Sequence, residues 1–326
     1  MQKVRVFLNG MASSSKSQDW EGQIRRGLFR SDLSFIRSKN HQQFLNEIQR
    51  AKDDKVEVVI SVGGDGTFNT LLKELAETDT SFLVVPAGTA NDLARELGIS
   101  SRLRTAIEAI RKNEIQKIDL ITINDQPMAT NGGIGLVSDV AASINLLRKK
   151  IPGFKLLMSG MHHRVYSTGL AGYLLANRFH RYALRVQSEE FSGEIDTPLL
   201  LINNQPTLAG TFPVAPLTMN HDGHFNVTIF KHKTWVDFVA AILRFKQGLP
   251  MDHDKQLMSF ESKKIVIEST DPKRNLKFFG DGEQLVESKK LIVKIKANAL
   301  RLYRPFHKDE VSTIPAEATV GEGDGS

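Results

Sequence analysis

Around residue 117 the chain changes its hydrophobic period, and that change limits the fold more than any other feature. Upstream, short apolar runs (KVRVFLN, VEVVISV, SFLVVPA) alternate with helical stretches (HQQFLNEIQRAK, TFNTLLKELAE, TANDLARELG, RLRTAIEAIRKN). That rhythm predicts βαβ units around a parallel sheet. Downstream, the runs KIDLITIN, RYALRVQS, TPLLLINNQ, HFNVTIFK, KKIVIES and KKLIVKIK are short, alternating and separated by turn signals. They read as all-β material of sandwich type, interrupted by one amphipathic helix at WVDFVAAILRFKQG. The expected architecture is α/β plus all-β: an α/β domain over residues 1–125 and a β-rich domain over 126–305, with the last strand free to return to the first domain.

A length of 326 residues suits about two domains, each with a full core. The chain has no cysteine, which excludes disulfides, thiolate zinc sites and a cysteine nucleophile. The opening MQKVRVFLNG has too short an apolar run for a signal peptide, and no run reaches the roughly 18 residues needed to span a bilayer. The expected location is cytoplasmic. Charge is uneven: residues 309–326 hold five acids and no Lys or Arg, so the other 308 residues carry +11 against +6 for the chain. Residues 306–326 read as an acidic disordered tail on a basic body whose partner is anionic.

Residues 61–69, SVGGDGTFN, place three glycines around one aspartate directly after a buried strand. A turn needs one or two glycines; a third suggests close approach to the backbone. Strand, GGDGT, helix is a phosphate-binding geometry, with N–H groups of Gly63, Gly64 and Gly66 and the helix N-terminus facing oxygen atoms. Thr67 could cap that helix or bond a phosphate. A glycine-rich turn whose Asp65 merely caps the helix is the plainer alternative. After the next strand, AGTANDLARELG (87–98) opens a second helix on small and polar residues, with Thr89, Asn91 and Asp92 together. Both loops should emerge at the carboxyl edge of one parallel sheet, where α/β folds bind ligands.

The pair GGDGTFN and PAGTANDLAREL resembles the diacylglycerol kinase catalytic-domain family, which includes bacterial lipid kinases and the sphingosine and ceramide kinases. The resemblance runs through Pro305. It implies a Rossmann-like α/β nucleotide domain, a C-terminal β-sandwich lipid-substrate domain, and a site with ATP and Mg2+ in the cleft between. By position, Gly63, Gly64, Asp65, Gly66, Thr67 and Asn69 would wrap the ATP phosphates, and Asn9, Thr89, Asn91 and Asp92 would complete the nucleotide site. Asp65, Asp92 and Asp119 would form an acidic network around magnesium; a strand-edge acid bonded to backbone is the alternative for Asp119. Two Asp-Gly turns, HDGHFNVTIF and FFGDGEQL, are by themselves hairpin signals. The resemblance makes the first a structural magnesium site, with Asp222 and the main-chain carbonyls of Met219 and His224 as ligands, all oxygen as a hard cation prefers. It makes the second the source of the general base: Asp281, assisted by Glu283, with Asp65 a competing candidate. Asn131, Gly135 and Asp139 of NGGIGLVSDV match a further glycine-rich segment. The chain departs from the family at Asn9, which is followed by GMASSSKS rather than Pro, at Thr70, where Glu is usual, and at Asn226, where an acid is usual.

The implied activity is transfer of the ATP γ-phosphate to a lipid hydroxyl. NAD kinase and a non-catalytic lipid-binding protein on the same fold stay open. No nucleic-acid motif accompanies the basic charge. Between Val140 and Ser188 stand eight Lys/Arg and no acid, interleaved with apolar residues. The stretch 148–185, including Arg148, Lys149 and Lys150, is expected to dock peripherally on a membrane; a homodimer is a further open partner.

Overall fold

The computed structural model describes residues 1–8, 19–87, 94, 97, 99, 103–136, 138–139, 180–207, 213–246 and 254–303. In the N-terminal part the strands β1 (Lys3–Leu8), β2 (Asp32–Ile36), β3 (Val58–Gly63) and β4 (Ser81–Pro86) pair in parallel in the order β2-β1-β3-β4. Every residue of β3 is buried, as the unbroken run VVISVG requires of a strand covered on both faces. One face packs on α2 (His41–Asp53) and α3 (Asp65–Leu75) through Phe7, Val59, Phe68 and Leu71. The other packs on α1 (Trp20–Gly27) and α4 (Leu103–Arg111) through Val4, Val6, Ile60, Ile24 and Ile107. Asp19 caps α1 by accepting from Gly22 N, and Asn40 caps α2 by accepting from Gln43 N. The first helix and β2 lie in stretches where the apolar pattern is short and broken by charge, and the sequence alone did not place them.

The same sheet continues into the second part. After β4 come β16 (Lys290–Tyr303), β13 (Lys264–Ser269), β8 (Tyr182–Gln187) and β9 (Ser192–Thr197). The strand β5 (Ile115–Ile123) pairs antiparallel with β16, and with β6 (Gln126–Met128). A second, antiparallel sheet runs β12-β11-β10-β7-β14-β15. Its strands are β7 (Asn131–Gly135), β10 (Leu199–Asn203), β11 (Phe225–Phe230), β12 (Leu257–Ser262), β14 (Leu276–Gly280) and β15 (Glu283–Ser288). Ile121, Leu184, Ile267 and Val293 of the first sheet meet Ile134, Ile202, Val227 and Phe278 of the second in one core, so the second part is a β-sandwich. The chain is thus an N-terminal α/β domain with a mixed sheet, followed by an antiparallel sandwich. The helix α5 (Trp235–Lys246) follows β11.

The strand β16 belongs to both parts. Its first half pairs with β13 and β5, its end pairs in parallel with β4, and the register shifts between Lys296 and Leu300. At that bulge Asn298 has φ +55°. Its N–H donates to Oδ1 of Asp119 at 2.7 Å, while Gly223 N donates to Oδ2 at 2.7 Å. Asp119 is fully buried in β5. Its carboxylate therefore joins three elements at the passage between the two parts. Removing it strands two interior N–H groups, each costing about 1–3 kcal/mol. Asp119→Ala is expected to destabilise the protein by about 2–5 kcal/mol in urea denaturation; a change below about 1 kcal/mol would show that water replaces both bonds.

Candidate functional site

The parallel strand order reverses at β1, which has β2 on one side and β3 on the other. Ligands of open α/β sheets bind outside the carboxyl ends of strands at such a reversal. There β3 ends at Gly63 and α3 begins, with Gly64 as N-cap. Gly64 offers no side-chain cap, so the first amides of α3 have no competing acceptor from their own cap residue. Of Asp65 the backbone position at the start of α3 is described.

These glycines are not there to bend the chain. Gly64 has φ −97°, and neither it nor Gly66 lies in the left-handed region. Among the described residues, a β-carbon on Gly66 would meet no atom within 4 Å. The space over Gly66 is open, and the residue type there suits the approach of something outside the chain. The glycines of NGGIG have the opposite setting. A β-carbon on Gly132 would lie 2.6 Å from Phe279 O, and one on Gly133 2.3 Å from Leu200 O. That segment is a buried central strand, crowded by its own sheet, and its Gly135 (φ +88°) makes the bend that leaves it. Asp139 beyond it accepts from the Tyr182 hydroxyl at 2.8 Å.

The two Asp-Gly turns also differ. Asp281 and Gly282 form a two-residue hairpin loop between β14 and β15, with φ +49° and +82° as a type I′ turn demands. Asp222-Gly223 closes no hairpin, because β10 and β11 are joined by the long connection 204–224. It is an Asx turn: Asp222 Oδ1 accepts from His224 N at 2.9 Å, and His224 Nδ1 lies 3.0 Å from Asp222 O. Asp119 is bonded to this turn through Gly223 and accepts only backbone N–H groups, with Asp119 N in turn donating to Asn220 O. The structure thus places Asp119 with Asp222 and His224. Among the described residues no group of three or more His, Asp or Glu could hold a metal. The turn's donor set for a hard cation is therefore one carboxylate, Asp222, with main-chain oxygens such as those of Met219 and His224. That set fits magnesium or calcium by chemistry.

The carboxylate of Asp281 is 7% exposed and accepts three bonds. Oδ2 takes Ala129 N at 2.7 Å; Oδ1 takes Thr130 N at 2.9 Å and Thr130 Oγ1 at 2.6 Å. A carboxylate has about four lone-pair positions, so one on Oδ2 stays open. Burial pushes its pKa above the ordinary carboxylate value; the Thr130 and Ala129 bonds oppose that in part, and nearby Glu283 adds to it. The hairpin tip is tied to α3 twice. Asn69 Nδ2 donates to Asp281 O at 2.8 Å, and Lys73 Nζ meets Glu283 Oε1 at 2.8 Å. Two motifs about 210 residues apart therefore touch. Asn69, expected at the phosphates, holds the Asp281 turn through its amide nitrogen.

Residues 129–130 are where the chain crosses from β6 in one sheet to β7 in the other. They are held from the far side by Asn204, whose Nδ2 donates to Asp119 O and Ala129 O at 2.8 Å each. Asn131 Oδ1 accepts from Asn204 N and Gln205 N. Sequence reading missed Thr130, Asn204 and Lys73. Each works through a partner at least 75 residues away, so no local pattern marks it. Asn9, Thr89, Asn91, Asp92, the tail 306–326 and residues 148–179 of the basic stretch lie outside the described residues. No described helix is long and apolar enough to cross a membrane.

Comparison with known proteins agrees with this layout. Residues 3–123 match the diacylglycerol kinase catalytic domain, and residues 160–304 match the YegS C-terminal NAD kinase beta sandwich-like domain. A Staphylococcus carnosus protein provisionally named a lipid kinase is 28% identical over 180 residues, 54% of this chain and 55% of that protein. A Staphylococcus haemolyticus protein so named is 24% identical over 277 residues, 83% of this chain and 85% of its own. A crystal structure titled as a diacylglycerol kinase from Bacillus anthracis strain Sterne superposes with TM-score 0.66 at 16% identity, covering 93% of this chain and 97% of that one. The chain belongs to the diacylglycerol kinase catalytic-domain family. It is a kinase of the lipid-kinase type by family.

Gly66→Ala separates folding from ligand approach. Alanine in the first turn of α3 is expected to leave stability unchanged or raise it by up to about 1 kcal/mol. Nucleotide affinity should fall at least about tenfold, because the new methyl occupies the open space over the loop. Thermal melting and calorimetric titration with ATP check the pair; unchanged affinity would make the loop a plain turn.

Proposed function

We propose that this chain is an ATP-dependent lipid kinase that transfers the γ-phosphate to a lipid hydroxyl, such as that of diacylglycerol or ceramide. One observation carries the reading: Asp281, whose carboxylate is held by Ala129 and Thr130 with one lone pair to spare, is tied through its main-chain carbonyl to the helix that follows the glycine loop. ATP is the co-substrate implied by the family. Asp281 takes the hydroxyl proton on Oδ2 as the lipid oxygen attacks the γ-phosphorus, and the bond to the bridging oxygen breaks to release ADP. Its raised pKa suits a base of this kind better than an ordinary aspartate would. Glu283 tunes that pKa by its charge, while Lys73 holds Glu283 in place. Asn69 fixes the turn and Thr130 fixes the carboxylate. Magnesium would supply charge neutralisation: at the phosphates with Asp65 and Asp92 as the candidate acids, and at the 219–224 turn with Asp222 and main-chain oxygens. The basic stretch 148–185 supports a peripheral membrane location.

A second reading is NAD kinase, favoured by the description of the sandwich match as NAD kinase-like. Labelled ATP offered with a lipid panel and, separately, with NAD decides between them. Label in a chloroform-soluble product is expected; label in NADP alone would overturn the proposal, and label in neither would favour a non-catalytic lipid-binding protein.

The base must be ionised, so kcat/KM should fall as pH drops through the pKa of Asp281, which burial raises above the ordinary aspartate value. Glu283→Gln removes a charge that raises this pKa, so the acid limb should move to lower pH. Asp281→Asn should lower kcat by about 10²–10⁴-fold. It also sets an NH2 against Ala129 N–H, costing about 1–3 kcal/mol of stability. A pH profile that Glu283→Gln leaves in place would assign the acid limb to another group.

A further inference from the structure

The helix α5 departs from the amphipathic pattern its sequence suggested. Phe238 and Ala241 face inward, Phe238 packing edge-on against Phe230 and His232. The opposite side should be polar on a surface helix. Here its centre is Val236 (58% exposed) and Leu243 (52%), with Trp235 (51%) on one shoulder and Arg244 on the other. Among the described residues seven large hydrophobics are exposed, and three of them lie on this one helix. A helix apolar on both sides is normally covered.

Two observations indicate what covers it. The first is charge: exposed Lys233 precedes the helix and exposed Arg244 lies beside Leu243, with half-buried Lys231 behind. The one exposed acid of the helix, Asp237, is paired with the Thr234 hydroxyl at its N-terminus. The second is position. Phe230 O and Leu199 O both accept from Thr197 Oγ1, and Leu136 N donates to Pro198 O, so α5 starts at the end of the sandwich where β7 finishes. Arg181 Nη1 donates to His232 O, and Tyr182 OH donates to Asp139. The chain therefore leaves for residues 140–179, whose sequence is basic and acid-free, and returns from them beside the N-terminus of α5. An apolar, Trp-bearing helix with cationic flanks fits the interface of an anionic bilayer, where an indole ring sits at headgroup depth.

We infer that the outer face of α5, Trp235, Val236 and Leu243 with Lys233 and Arg244, docks on an anionic lipid bilayer. The reason for the chain to meet a bilayer rests on the lipid-kinase reading; the test does not. The chain has two tryptophans, and Trp20 is buried. In a Trp20→Phe protein, fluorescence therefore reports Trp235 alone. With vesicles of phosphatidylglycerol and phosphatidylcholine, and no nucleotide, the emission should shift to the blue and be quenched by brominated acyl chains. Pure phosphatidylcholine should give neither. Lys233→Glu with Arg244→Glu, both at the surface, should weaken vesicle binding by about tenfold or more, as should high salt. Val236→Asp with Leu243→Asp should abolish the quenching at an unchanged melting temperature. No shift, or an equal shift on phosphatidylcholine, would overturn the inference. A blue shift that grows with protein concentration without vesicles would overturn it in favour of a second copy. One that disappears on deleting residues 306–326 would overturn it in favour of the acidic tail. Kinase activity on a soluble short-chain acceptor, measured in parallel, keeps this outcome separate from that of the proposed function.

Discussion

Three donors converge on one buried carboxylate, that of Asp281, and the spatial relation of the two halves of the molecule depends on them. Ala129 and Thr130 are the two residues by which the chain passes from one sheet to the other. By accepting both of their N–H groups, Asp281 fixes the crossing to the tip of the β14–β15 hairpin. Asn204 grips the same crossing from behind, so its backbone is satisfied on both sides without water. Asn69 and Lys73 then connect the hairpin tip to the helix that follows the glycine loop. The exposed Lys73–Glu283 ion pair contributes little, about 0–1 kcal/mol. The buried bonds to Asp281 set the geometry, and the surface pair keeps Glu283 close enough to act on its charge.

Two glycine-rich segments of nearly equal appearance prove to have different causes. In NGGIG the missing side chains are required by the protein's own strands, which pass too close for any β-carbon. At Gly66 nothing among the described residues competes for the space, and the backbone is ordinary helix. Absence of a side chain where the fold does not ask for it is a stronger sign of a ligand than glycine content. The same distinction separates the two Asp-Gly turns. Only Asp281-Gly282 needs its positive φ angles to close a hairpin, and its aspartate is also the one whose carboxylate is buried and raised in pKa.

Much of the architecture was legible because it is written in local periodicity. The fully buried run VVISVG and the alternating YALRVQ carry their environments in their composition. The weak stretches WEGQIRRG and DLSFI were not legible, since their burial is decided by what packs on them. At the candidate site, the positions of the glycine loop and of Asp281 followed from motif. Their connection did not, because Asn69, Lys73, Thr130 and Asn204 act over sequence distances that no pattern spans. WVDFVAAILRFK looked amphipathic because Asp237 and Arg244 punctuate it; the fold turns Phe238 inward and leaves Val236 and Leu243 outside.

The strand β16 has a consequence for how the molecule comes to exist. Leu291 and Val293 fill the sandwich core, Leu300 and Leu302 one face of the α/β sheet, and Tyr303 the other. One segment near the end of the described chain thus completes all three interiors. During synthesis, residues 1–123 emerge with β4 lacking its outer neighbour, and that open edge persists until residue 303 has cleared the ribosome. The glycine loop follows the strand next to that edge, yet the sheet that presents it is finished by the last of the described strands. The nascent first domain must either wait in a partly assembled state or be shielded until then, which sets order of manufacture against order of function.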